Sequence, residues 1–191
     1  MNPNKILVTG GRGFIGSNFI RSLFKEFNFN GTVVNLDKPN YAGKRNNIID
    51  IEKEFGGNRF FAEKADIYNI DNNISILKKY NIDTIVHFAA ESHVGRSIIN
   101  PEPFILTNIF GTYALIEAAK RFWDNDDNVL FHHVSTDEVY GSAEGKSSFN
   151  EETRYNPRNP YSASKAASDH IVMSYHYTFG TPVNISNSSN N

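Results

Sequence analysis

Two short runs hold residue types that could do chemistry together. One is Tyr161-Ser162-Ala163-Ser164-Lys165, which sets a phenol and an ammonium four residues apart, on one face of a helix. The other is Val134-Ser135-Thr136-Asp137-Glu138-Val139-Tyr140-Gly141, which puts two adjacent carboxylates just past a hydrophobic strand. A cation beside a phenol favours the phenolate, so Lys165 is expected to lower the pKa of Tyr161 and make it an acid/base suited to hydride chemistry. The same lysine could hold a nicotinamide ribose. Enclosed in a site, Asp137 and Glu138 would repel one another, raising at least one pKa and leaving a proton donor beside a proton acceptor. That division of labour suits the elimination of water. Thr136 beside them could donate a hydrogen bond to a substrate hydroxyl or a transient ketone. Taken alone, the acids could equally be a solvated turn at a helix start, and Tyr161 with Lys165 a surface pair.

A nucleotide signal stands upstream. Thr9-Gly10-Gly11-Arg12-Gly13-Phe14-Ile15-Gly16 follows a first strand and opens a first helix. Glycine suits a tight turn and a backbone that must approach a pyrophosphate, which then sits on free N–H groups at the helix start. Asp37 ends the second strand, 21 residues beyond Gly16, where an acid accepts hydrogen bonds from adenosine ribose hydroxyls. A carboxylate there repels a 2′-phosphate and favours NAD over NADP, although Arg12 or Lys38 could neutralise such a phosphate. Asp66-Ile67 and Ala89-Ala90-Glu91-Ser92 follow the third and fourth strands, on the sheet edge where ligands bind.

Alternating elements must position these residues. Apolar runs at Ile6–Thr9, Thr32–Leu36, Arg59–Ala62, Thr84–Phe88, Val129–Val134 and Val183–Ile185 read as strands. Helix-period segments lie near 14–27, 44–55, 70–80, 104–123 and 161–179, with prolines in the joints. This alternation predicts an α/β fold: a Rossmann-type, doubly wound parallel sheet in the order 3-2-1-4-5-6, with helices on both faces. The stretch from Gly141 to Pro160 is polar, and such long loops are usually functional or mobile. At 191 residues the chain suits one core, a single NAD-binding domain over 1–191.

The bulk numbers exclude some classes. A net charge of −2 and a pI near 6.3 provide no basic field for nucleic acid or an anionic membrane. No window approaches the roughly 18 apolar residues of a membrane span. No signal-peptide pattern precedes the first strand, and with no cysteine there is neither disulfide nor thiolate chemistry. A cytoplasmic setting fits. The six histidines have no partners at metal-ligand spacing, so no metal is expected. His132-His133 should straddle the two faces of a strand, with the aromatics mostly in the core.

The chain resembles the extended short-chain dehydrogenase/reductase superfamily and, within it, the dTDP-glucose 4,6-dehydratase family. The resemblance rests on Thr9–Phe19, on Leu36-Asp37-Lys38 with Tyr41-Ala42-Gly43, and on His87 through Val94. It continues through Thr107-Asn108 with Gly111-Thr112, then His132–Gly141, Asn156-Pro157, Pro160–His170 and Ser186–Asn191. Thr136-Asp137-Glu138 is the narrower signature, since epimerases of the superfamily generally lack the paired acids. The resemblance implies a nucleoside-diphosphate glucose as substrate and NAD as cofactor. Tyr161 would take the proton of the 4-hydroxyl as hydride leaves C4, Glu138 the C5 proton, and Asp137 would protonate the departing 6-hydroxyl. Thr136 would assist at O4 and Lys165 at Tyr161. Cofactor contacts would come from Gly10, Gly13, Phe14, Ile15, Gly16, Asp37, Lys38, Asn40, Asp66, Ile67, Phe88, Ala89, Ala90, Glu91, Ser92, Thr107, Tyr161, Lys165 and Asn191. Ser92, Thr136 and Asn190 would reach substrate.

By the same resemblance, relatives continue past this chain's end into a substrate-binding carboxyl-terminal domain, so the chain is expected to be an amino-terminal part. Relatives also pair as homodimers through the helices at 104–123 and 161–179. Gly95 stands where they usually have aspartate, Pro39-Asn40 where Leu-Thr is usual, and Ala65 where glycine is common before Asp66. A sugar-nucleotide C4 epimerase of the superfamily and a non-catalytic NAD-binding module are the alternatives.

Overall fold

A computed structural model describes residues 3–38, 45–124, 126–142 and 148–189. Six strands form one parallel sheet: β1 (Lys5–Thr9), β2 (Thr32–Asp37), β3 (Phe60–Lys64), β4 (Thr84–His87), β5 (Leu130–Thr136) and β6 (Val183–Ser188). Their order is β3-β2-β1-β4-β5-β6, as the alternation predicts. The chain winds outward from β1 to β3, then crosses to β4 and winds the other way. The carboxyl ends of β1 and β4 therefore flank the crevice where such sheets bind ligands. Register holds Thr9 beside both Leu36 and His87, and His87 beside His133, so these strand ends lie level.

Side chains alternate across the sheet, and each face has its own core. Ile6 and Val8 of β1, with Val33 and Val86, pack on Ile20 and Phe24 of α1 (Phe14–Lys25) and Ile51 of α2 (Ile49–Phe55). Leu7, Val34, Leu36, Ile85 and Phe131 face the other way. They meet Ile76 and Leu77 of α3 (Ile70–Tyr80), then Leu115 and Ile116 of α6 (Thr112–Trp123), then Val172 and Tyr175 of α7 (Pro160–Phe179). Both faces are covered, which is why the central strands read as continuous apolar runs rather than alternating ones.

The helix that matters most for the site starts under firm local control. Asn159 accepts the Ser162 N–H at 2.8 Å while Ser162 Oγ accepts the Asn159 N–H at 3.1 Å, a reciprocal cap with Pro160 in the first turn. The helix ends at Gly180, whose φ of +69° is the left-handed conformation a helix stop favours.

Several expected boundaries move. The periodic stretch 104–123 is not one α-helix: α5 (Glu102–Phe104) passes into a π-helical turn, Ile105–Gly111, before α6. Short α4 (Val94–Ile99) lies in a segment without a sequence assignment, and a 3₁₀ turn, Asp137–Tyr140, carries both acids. Arg45–Ile48 is likewise 3₁₀ rather than α, and β5 and β6 each run longer than their apolar cores. Main-chain pairing extends both strands, as Val134↔Ser186 continues to Thr136↔Ser188 through polar residues.

Candidate active site

The strand ends enclose a cleft of about 860 Å³. One end is shaped by backbone. Gly10 has φ +72°, and a Cβ there would lie 2.8 Å from the Ala89 nitrogen; a Cβ on Gly16 would lie 2.5 Å from the Gly10 carbonyl oxygen. Glycine at both positions lets the β1–α1 turn close tightly against the loop after β4. The turn delivers the start of α1, whose first N–H groups have no intrahelical acceptor and so make an anion site. Asn35 Oδ1 accepts the Gly11 N–H at 3.0 Å, and Asp37 Oδ2 accepts the Arg12 N–H at 2.7 Å, which fastens the turn to β2. Burial raises the Asp37 carboxyl above its ordinary value, opposed by that N–H and by the Arg12 charge.

Both nearby cations have carboxylate partners. Arg12 reaches Glu52 at 3.7 Å, and Lys38 pairs with Asp66 at 2.8 Å and lies over the Tyr68 ring. Tyr68 in turn meets the Thr107 hydroxyl at 3.3 Å. Thr107 stands in the π turn, where Asn108 is buried and brackets Glu91: it accepts the Glu91 N–H at 2.8 Å and donates to the Glu91 carbonyl at 3.0 Å. A third bond, from Asn108 to Ser164 Oγ at 2.9 Å, ties the loop after β4 to α7.

The other end is built from buried charge. Lys165 is 4% exposed and donates to the Val134 carbonyl at 2.8 Å. Burial pulls its ammonium down to about 8, with Asp169 holding it up. Tyr161 lies one helical turn earlier, its ring edge-on to Phe104. Contrary to expectation, its phenol is raised from its ordinary value. Burial is the main cause, the Glu138, Asp137 and Asp169 charges add to it, and a hydrogen bond with Thr136 works the other way. One of the three Lys165 N–H donors goes to a strand carbonyl. Thr136 Oγ1 accepts the Glu138 N–H at 3.3 Å, capping the 3₁₀ turn. Glu138 Oε2 accepts from Asn159 Nδ2 at 3.1 Å, so one asparagine fixes both an acid and the start of the helix that bears Tyr161.

The cleft brings together Gly10, Gly13, Phe14, Ile15, Gly16, Asp37, Lys38, Asp66, Ile67, Phe88, Ala89, Ala90, Glu91, Ser92, Thr107, Thr136, Glu138, Tyr161 and Lys165. Asp137 is not on its wall; it sits beside Thr136, 3.4 Å from that hydroxyl, and both acids are part-exposed rather than enclosed. Asn40, Asn190 and Asn191 lie outside the described residues. The wall also includes Tyr68, Ser135 and Ser188, which sequence reasoning missed. Asp169, below the wall, was also missed, though its spacing of four from Lys165 on the Tyr161 face was a readable signal. His132 is half-buried against Ser186 and His133 is fully buried, on opposite faces of β5 as expected. Among the described residues no cluster of His, Asp and Glu could hold a metal, and no helix is long and apolar enough to cross a membrane.

Residues 7–191 match the family model described as GDP-mannose 4,6 dehydratase. The chain belongs to the GDP-mannose 4,6 dehydratase family. Among curated members of similar sequence, a dTDP-glucose 4,6-dehydratase of Salmonella typhimurium is 47% identical over 98% of the chain. Among solved structures, a dTDP-glucose 4,6-dehydratase of Bacillus anthracis in complex with NAD superposes with a TM-score of 0.86 at 37% identity, covering 98% of this chain and 55% of that one. A dTDP-glucose 4,6-dehydratase from Streptomyces venezuelae, with NAD and TYD bound, gives a TM-score of 0.85 at 40% identity, covering 95% and 54%. Sugar-nucleotide 4-epimerases follow at lower identity. This member of the family spans about half the length of the curated relatives it matches, 54% of the Salmonella protein.

Proposed function

We propose that residues 1–191 form the NAD-binding, proton-handling domain of a dTDP-glucose 4,6-dehydratase, acting on a nucleoside-diphosphate glucose in the cytoplasm. One observation carries the reading: a single cleft joins the glycine turn and Asp37 to Tyr161, Lys165, Thr136 and Glu138. The residues fit a dinucleotide: a Cβ at Gly10 or Gly16 would strike the Ala89 or Gly10 main chain and force open the turn that presents the start of α1. The start of α1 would hold the pyrophosphate, Asp37 a ribose, Asp66 and Ile67 the adenine border, and Lys165 the second ribose. Phe88 through Ser92 and Thr107 would line the remainder. When bound, NAD supplies reversible hydride acceptance, from sugar C4 and back to C6.

The chain's own groups handle protons. Tyr161 takes the proton of the 4-hydroxyl, with Thr136 hydrogen-bonded at O4. The ketone so formed acidifies C5–H, and Glu138, held by Asn159, removes that proton. By the family's pattern Asp137, beside Thr136 though off the wall, protonates the departing 6-hydroxyl, which leaves as water and gives a 4-keto-5,6-ene; hydride returned to C6 and a proton to C5 then give the 4-keto-6-deoxy sugar nucleotide. Ser92, exposed at the cleft mouth, is the substrate contact on the opposite wall. Exposed Ile105, Leu106 and Phe110 on one stretch and Tyr177 and Phe179 on α7 support pairing of two copies through these helices.

The test is incubation with NAD and dTDP-glucose, alongside separate titrations of each. Formation of a 4-keto-6-deoxy product, seen by its absorbance in alkali, is the expected result. A C4 epimer without that product would overturn the dehydratase reading in favour of an epimerase. NAD binding with neither dTDP-glucose binding nor product would leave a binding module.

A further inference from the structure

Beneath the cleft lies a carboxylate that the proposed chemistry does not use. Asp169 is 1% exposed and sits on α7 one turn after Lys165. Its Oδ2 accepts from Ser135 Oγ of β5 at 2.8 Å and from the Tyr155 hydroxyl of the loop before α7 at 2.9 Å. Its Oδ1 lies 3.2 Å from His133 Nε2, outside hydrogen-bond geometry, and that nitrogen lies 3.4 Å from Lys165 Nζ. A buried carboxylate this enclosed persists only with a counter-charge and donors.

Groups from several elements face it. From β5 come His133 and Ser135, and from β4 comes His87 behind His133. Tyr140 of the 3₁₀ turn and Tyr155 of the loop lie near its charge, Asn187 of β6 hydrogen-bonds to it, and the Tyr161 phenol of α7 feels it. The charges of Asp137 and Glu138 act on the same Tyr161 phenol. Burial, with Lys165 next at His133 and His133 then Lys165 at His87, holds both imidazoles well below their ordinary value, which favours their neutral form. Lys165 and Asp169 stand one turn apart on one face of α7 and both approach His133 Nε2, at 3.4 and 3.2 Å; burial lowers the Lys165 ammonium and raises the Asp169 carboxyl, and the charge of each opposes the other's shift.

We propose that Asp169 is a positioning residue for the Tyr161–Lys165 pair: its sealed carboxylate is the counter-charge that lets Lys165 stay protonated while wholly buried. Its two hydroxyl ligands serve the same end, tying β5 and the 148–159 loop to α7. This deepens the functional reading above, since a charged Lys165 is what a ribose hydroxyl and a phenolate require.

The test uses the 191-residue protein with ¹⁵N-labelled lysine side chains, following the Lys165 ¹⁵Nζ resonance against pH without cofactor. The wild type should titrate near 8, and Asp169→Asn should lower the midpoint by about one pH unit or more. An unchanged midpoint in a folded Asp169→Asn protein would overturn the proposal. Should that variant not fold, the unaltered protein reads the same coupling: as pH falls, the Lys165 ¹⁵Nζ resonance should shift in step with the Asp169 carboxyl ¹³C resonance. Independent titration of the two would overturn it. NAD titration of the same sample is a separate arm. Failure there removes the cofactor reading and leaves the charge coupling intact, whereas uncoupled titration with normal NAD binding does the reverse.

Discussion

The two ends of the cleft solve different problems with different materials. The nucleotide end is made of main chain: a turn that only glycine closes, a helix start, and one carboxylate that braces the turn at the end of β2. The chemical end is made of side chains from distant elements, held by buried charge: Lys165, Asp169, His133 and Ser135 below, Thr136, Glu138 and Tyr161 above. A shape built from backbone tolerates little change at the few positions that set it. A charge network depends instead on protonation states, so its behaviour moves with pH. The two ends should therefore fail in different ways.

The largest effect should come from Tyr161→Phe. Removing the proton acceptor should slow dTDP-glucose turnover by about 10²- to 10⁴-fold while leaving NAD affinity nearly unchanged, which steady-state rates and NAD titration would separate. In the unaltered protein the raised phenol means that little phenolate exists at neutral pH, so log rate should climb with pH across the neutral range. A flat profile would remove Tyr161 as the base. Next is Gly10→Val, which forces a side chain against the Ala89 backbone in a left-handed conformation. It should cost about 2–3 kcal/mol in a denaturant titration and abolish measurable NAD binding. The smallest is Asn159→Ala, which removes the α7 cap and should cost about 1 kcal/mol. The same change frees Glu138, so it should slow turnover more than it weakens NAD binding.

What could be read from sequence follows the same division. The glycine turn, Asp37 and the strand order were legible, because their residues are local in the chain and their periodicity reports directly on backbone. Tyr161 and Lys165 were legible as a spacing, yet their electrostatics were not. Lys165 bonds to Val134, 31 residues away, and Asp169 to Ser135, 34 residues away, and no local pattern encodes such pairings. The π turn at Ile105–Gly111 was hidden for a related reason. Its apolar spacing passes for α, while the contacts made from within it are tertiary: Asn108 is spent on Glu91 and Ser164. Asp137 shows the limit of motif reading, since adjacency to Glu138 in sequence does not place both acids on one wall.

As an NAD site, the cleft uses Asp37 to disfavour a 2′-phosphate, with Arg12 held by Glu52 and Lys38 by Asp66. Calorimetric titration of the 191-residue protein with NAD and, in parallel, NADP tests this most directly. One NAD per chain is expected, with NADP weaker by about tenfold, or about 1.4 kcal/mol. Absence of NAD saturation, or tighter binding of NADP, would contradict it.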